Sequence, residues 1–266
     1  MLKRNFNIAL IEKDIVWGDK AANMEQLKRE LALVPQGTDL VVLPELFSTG
    51  FITGNRDEAQ ALAERNSGET MQTLHELAQK YQVAFCGSFL AATAGQLFNR
   101  AFFIEPSGED TFYDKKHLFA FGGENEIYHH GHTQAPIIRF RGFNIKLIVC
   151  YDLRFPVFCR NVNNNYDILV AVANWPSSRQ HVWQTLLTAR AMENECFVCG
   201  VNRAGIDGYG AEHGHGSSFI IDFKGKIISQ TSDTTPIATA SFSPEDLEKF
   251  RSKFPAWRDA DAFTLK

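Results

Sequence analysis

A cysteine stands where an apolar run stops. Leu147-Ile148-Val149, preceded by the amphipathic stem of Lys146, leads straight into Cys150-Tyr151-Asp152-Leu153-Arg154-Phe155-Pro156, which reads as a buried strand ending in a sharp turn. A strand end fixes the Cα, and the turn after it leaves backbone N–H groups free to donate to a developing oxyanion. Cys150 is therefore a candidate nucleophile. A second polar residue closes a second apolar run. In Asp39-Leu40-Val41-Val42-Leu43-Pro44-Glu45 a carboxylate follows a proline at the carboxyl end of a strand, where ligands gather in α/β sheets. Glu45 is a candidate general base, able to take a thiol proton and later hand it to a leaving amine. A third polar group lies in Tyr113-Asp114-Lys115-Lys116-His117-Leu118-Phe119, where a strand passes into a long loop. An ammonium buried beside the thiol would favour thiolate over thiol and steady an oxyanion. Each residue alone also has a plainer explanation: cysteines pack in cores, a glutamate caps or solvates a strand end, and adjacent lysines are solvated.

The elements that would have to position these groups follow from periodicity. Phe6 to Ile11, Leu40 to Leu43 and Val83 to Phe89 are short apolar runs; Met24/Leu27/Leu31 and Met71/Leu74/Ala78 between them have helical spacing. Strand alternating with helix predicts an α/β sheet. Leu97 to Ile104 and Thr111-Phe112-Tyr113 flank Pro106-Ser107-Gly108, so antiparallel pairing enters. Ile137 to Phe140 and Phe143 to Cys150 predict a second hairpin, and Ile168 to Ala173 a strand covered on both faces. Ser177 or Ser178 is expected to cap a helix with Val182, Leu186, Ala189 and Glu193 on one face, before Phe197 to Val201 returns as strand. Ser217 to Asp222, Ile227 to Gln230 and Ile237 to Phe242 add strands, and Ser243-Pro244 opens a last helix.

The chain has 266 residues, 44% of them hydrophobic, and a net charge of −4 with both signs mixed throughout. No linker or repeat divides it, so residues 1–266 are expected to form one domain. The charge gives no attraction for nucleic acid or an anionic membrane, and no run is long and apolar enough for a signal peptide or span. Five scattered cysteines do not resemble a disulfide framework, which suits a cytoplasmic protein.

Taken together, Leu43-Pro44-Glu45, Tyr113 to Phe119, Cys150 to Pro156, Arg190-Ala191-Met192-Glu193-Asn194 and His215-Gly216-Ser217-Ser218 resemble the nitrilase superfamily of carbon–nitrogen hydrolases over nearly the whole chain. The resemblance implies a four-layer αββα sandwich of two mixed sheets with outer helices, commonly assembled as a homodimer. It implies a Glu-Lys-Cys triad of Glu45, Lys115 and Cys150, selecting Lys115 over Lys116. It adds a second glutamate in the following loop, at Glu124 with Glu126 as competitor. The branch most similar is that of omega-amidases, which hydrolyse the terminal amide of 2-oxoglutaramate and 2-oxosuccinamate without a metal or cofactor. Such a substrate carries a carboxylate far from the reacting amide. Arg154 is the candidate to bind it, with the Tyr151 N–H on the oxyanion and Trp175 as a pocket wall. Family members often place Glu after Phe155-Pro156, where this chain has Val157, which leaves aliphatic-amide, nitrile and N-carbamoyl substrates open.

Rival readings are a Cys-His pair with His117 as base, and a non-catalytic binding scaffold. Cys196-Phe197-Val198-Cys199 sits in a predicted strand, where odd spacing sends the thiols to opposite faces and argues against metal or redox chemistry. The histidines at 129, 130, 132, 213 and 215 lack recognisable ligand spacing. The glycine-rich stretch from Gly205 to Gly216 precedes a strand, so it offers no helix N-terminus to a phosphate.

Overall fold

The computed structural model describes residues 4–264. Its first half runs β1 (Phe6–Ile11), β2 (Lys13–Asp14), α1 (Lys20–Leu31), β3 (Leu40–Val42), α2 (Arg56–Leu62), α3 (Glu69–Tyr81), β4 (Ala84–Thr93), β5 (Gln96–Ile104), β6 (Asp110–Asp114) and α4 (Glu124–Ile127). Its second half runs β7 (Ile137–Phe140), β8 (Phe143–Val149), α5 (Pro156–Cys159), β9 (Ile168–Ala173), α6 (Gln180–Asn194), β10 (Phe197–Ile206), β11 (Glu212–His213), β12 (Phe219–Ile221), β13 (Ile227–Gln230), β14 (Ile237–Phe242) and α7 (Pro244–Lys253). One sheet has the order β14-β1-β3-β4-β5-β6, the other β13-β12-β10-β9-β8-β7 with β2 and β11 beside β10. Both are mixed: β1, β3 and β4 are mutually parallel, as are β8, β9 and β10, and hairpins extend each sheet.

Strand parity builds the layers. Ile8, Leu10, Leu40, Val42, Ala84, Cys86, Ala101 and Phe103 meet Ile148, Val149, Val170 and Val172 in one core shared by the sheets. Their alternates Ala9, Ile11, Val41, Leu43, Phe85, Phe102 and Ile104 pack outward on Met24, Leu27 and Leu31 of α1 and Met71, Leu74 and Leu77 of α3. Side chains of successive strand residues point to opposite faces, so an unbroken apolar run serves both cores. On the second sheet α6 and α7 contribute Trp183, Leu187, Ala191 and Leu247. The result is helix, sheet, sheet, helix. A polar tie also crosses the molecule: the buried Glu12, just past β1, accepts from the Gly216 and Ser217 N–H groups at 2.7 and 2.9 Å and from the Ser218 and Thr231 hydroxyls at 2.8 Å each.

Two helical expectations need correction. Ser177 and Ser178 lie in a 3-10 turn, and α6 begins at Gln180 without a side-chain cap. Its buried face carries Trp183, Leu187, Arg190, Ala191 and Asn194; of the expected residues Val182 and Leu186 pack half-buried against the core at its margin, and Glu193 is exposed. Two large inward residues hydrogen-bond inside: the Trp183 indole donates to Ser217 O at 2.8 Å and the Arg190 guanidinium to Leu153 O at 2.7 Å. Burial by hydrogen bonding thus overrides the apolar pattern.

Candidate active site

Leu43-Pro44-Glu45 leaves the carboxyl end of β3. The Glu45 side chain is fully buried. Its Oε1 accepts from Lys115 Nζ at 2.8 Å and Asn99 Nδ2 at 2.7 Å, and its Oε2 from the Asn174 N–H at 2.7 Å. Asn174 follows β9 in the other sheet and returns a side-chain bond to Glu45 O at 2.6 Å. The carboxylate therefore sits where the ends of both sheets meet. Lys115 follows β6, which runs in the same direction as β3 after two antiparallel steps through β5 and β4. Its Nζ reaches both oxygens of Glu124, at 3.0 and 2.9 Å. Glu124 opens α4, is fully buried, and accepts from the Phe119 N–H at 2.6 Å and Asn99 Nδ2 at 3.1 Å. Glu126 is exposed. The loop closes at Gly131, whose N–H donates to Lys115 O at 2.8 Å; a Cβ there would lie 2.0 Å from Asp114 O, which excludes any larger residue.

Cys150 begins a 3-10 turn to Arg154 with φ at +47°, the left-handed region in which non-glycine residues are uncommon. That turn is held by the buried Asp152, which accepts from the Val149 N–H at 3.1 Å, the Tyr113 hydroxyl at 2.9 Å and the His117 N–H at 3.0 Å. His117 Nδ1 lies 2.7 Å from the same carboxylate, and its ring stacks on Phe155 at 3.9 Å. The imidazole is thus committed to the turn, outside the cavity that Cys150 lines, and the Cys-His alternative loses its base.

Charge burial sets the protonation states. Burial alone would lower the Lys115 ammonium, but Glu124 and Glu45 outweigh it and hold its pKa well above the usual value. The Cys150 thiol is pushed well above its ordinary 9.0 by burial and then by Glu45, with Lys115 offsetting only part. The ammonium does pull the thiol pKa down as expected, but burial and the Glu45 carboxylate outweigh it. Burial also raises Glu124, against the pull of Lys115. A thiol held protonated would need a base in order to attack, and Glu45 lines the same cavity as Cys150.

Glu45, Lys115 and Cys150 line a cavity of about 230 Å³ with Phe51, Phe119, Tyr151, Trp175 and Tyr209. Trp175 is fixed through its backbone, donating to Asn202 Oδ1 and accepting from Asn202 Nδ2, both at 2.7 Å. The Arg154 guanidinium lies 5.2 Å over the Trp175 ring, and among the described residues it forms no ion pair, contrary to the local acid pairing common for arginines near turns. Tyr209 reaches across the opening, its oxygen accepting from the Thr53 and Gly54 N–H groups at 3.0 and 2.6 Å. Sequence reasoning missed Asn99, Asn174, Arg179, Asp207 and Tyr209, and set His213 aside with the other histidines. Asn174 had a usable signal, since it too follows an apolar strand; the others are joined to the site only by the fold.

A family model described as carbon-nitrogen hydrolase matches residues 7–252. The chain is 41% identical to omega-amidase YafV of Escherichia coli over 260 residues, covering 97% of this chain and 98% of that one. It is 28% identical to the 2-oxoglutaramate amidase of Bacillus subtilis over 257 residues, 96% and 97% of the two chains. Among solved structures, XC1258 of Xanthomonas campestris, a CN-hydrolase superfamily protein described with an arsenic adduct in its active site, superposes with a TM-score of 0.93 at 37% identity, covering 98% and 99%.

Proposed function

Because the chain belongs to the carbon–nitrogen hydrolase family, we propose that it hydrolyses the terminal amide of a small 2-oxo acid amide, 2-oxoglutaramate or 2-oxosuccinamate, to the acid and ammonia. Glu45 takes the Cys150 proton as the sulfur attacks the amide carbon, and Lys115 with the Tyr151 N–H holds the oxyanion. Glu45 passes that proton to the leaving nitrogen, the C–N bond breaks, and ammonia departs from a thioester. Glu45 then removes a proton from water, the hydroxide attacks the thioester carbon, and the proton returns to sulfur as the C–S bond breaks. Glu124 orients Lys115 and does not itself react. One observation carries the reading: a fully buried carboxylate 2.8 Å from a buried ammonium, both lining the cavity that the strand-end cysteine lines. The same intact set argues against a binding scaffold.

Arg154 supports the substrate end, as a guanidinium on the cavity wall, without an ion pair among the described residues, suited to a carboxylate. The chain acts as one catalytic domain. Exposed Val157 and Val162, which share a surface cleft with Phe263, support a homodimer, and five free thiols support the cytoplasm. Ammonia release across 2-oxoglutaramate, glutamine, short aliphatic amides, a nitrile and an N-carbamoyl amino acid tests the assignment. The keto acid amide is expected to lead; preference for glutamine or the nitrile would overturn it.

A further inference from the structure

The cavity wall carries cations that the reaction does not use. Glu45 is matched to Lys115, and Asp207 accepts from the Tyr209 and Ala211 N–H groups at 2.9 Å each and faces His213 at 3.2 Å. Two cations remain on the wall: Arg154, and the half-buried Arg179. Among the described residues neither forms an ion pair. Arg179 is nonetheless held in place. Its N–H donates to Pro176 O at 2.9 Å, its carbonyl accepts the Trp175 indole N–H at 3.0 Å, and its guanidinium lies 5.3 Å over the Phe119 ring. Trp175 thus touches both arginines, with Arg154 over its ring and Arg179 at its indole nitrogen.

Contact of a guanidinium with a ring face leaves the in-plane N–H groups available. A single fork satisfies the two oxygens of a carboxylate. A 2-oxo acid presents a third acceptor beside them, the ketone oxygen, and one fork cannot serve it. We infer that Arg179 is a second substrate-binding residue, which donates to the 2-oxo group while Arg154 binds the neighbouring carboxylate. This rests on the keto acid amide reading above and deepens it. A 2-ammonium in place of the ketone would meet a fixed cation, so the same residue discriminates against glutamine.

The test compares kcat/KM for 2-oxoglutaramate with that for glutaramate, which has the same chain and carboxylate but no ketone. In Arg179→Gln the ratio is expected to fall roughly ten- to hundredfold, the range for a hydrogen bond from a charged donor. Arg179→Lys, retaining charge without the fork, should fall between. Each ratio is internal to one variant, so a partial loss of folded protein cancels. An unchanged ratio in both variants overturns the inference. If the wild type has no preference for the keto acid amide, the substrate assignment fails separately. The role of Arg179 is then read from inhibition by 2-oxoglutarate against glutarate with the best amide as substrate. A wild-type preference for 2-oxoglutarate that Arg179→Gln reduces upholds it, and equal inhibition or an unaffected preference rejects it.

Discussion

Where the amide is to react, Glu45, Lys115 and Glu124 are buried, and each carboxylate oxygen has a donor on it. Where we propose that the rest of the substrate lies, Arg154 and Arg179 rest over aromatic rings, and among the described residues neither forms an ion pair. The first arrangement is costly to assemble, since removing one partner of a buried ion pair typically costs about 3–5 kcal/mol. It is correspondingly fixed, and donors that need no reorganisation stabilise developing charge best. The second is open to solvent and incomplete without an anion. Chemistry is thus built into the resting molecule, while recognition is completed by the ligand.

Substitutions should divide along that line. Cys150→Ala is expected to abolish turnover of every amide tried, and wild-type kcat in that variant would refute the thioester route. Lys115→Gln should reduce kcat at least roughly 10²–10³-fold on charged and uncharged amides alike, as for one lost oxyanion donor; a loss confined to KM would move Lys115 from the reacting end to the recognition end. Arg154→Gln should raise KM for 2-oxoglutaramate about ten- to hundredfold with a smaller change in kcat, judged against butyramide as an uncharged control. Alkylation by iodoacetamide sharpens the contrast more gently. With the thiol held above its ordinary 9.0, the thiolate fraction grows about tenfold for each pH unit below the pKa, so labelling of Cys150 should still be accelerating at pH 9. A plateau near neutral pH would mean a resting thiolate and no need for Glu45 as base.

Much of this plan was legible because the decisive residues close apolar runs. Glu45, Cys150 and Lys115 each follow a strand, and strand ends are visible in a single sequence as the point where apolar residues stop. Their convergence was available only through resemblance, since Glu45 and Lys115 stand 70 positions apart. Asn99, which holds Glu45 from 54 positions away, carried no local mark of that duty, and Asn174, 129 positions away, had only its place after an apolar strand. Helix α2 escaped for a different reason. Asn55 caps it and Asp57 and Glu58 favour its first turn, but Ala59 is its one buried residue, so no apolar period announces it. In α6 the apolar pattern misled in part, because Trp183 and Arg190 face inward and hydrogen-bond to backbone carbonyls there.

Asp152 touches three parts of the chain at once: the last residue of β8, the tyrosine of β6, and the loop just past Lys115. Sulfur and ammonium are in effect mounted on one bracket. Heat or denaturant that loosens this joint should disengage both together, so that activity disappears in a single step rather than eroding one group at a time.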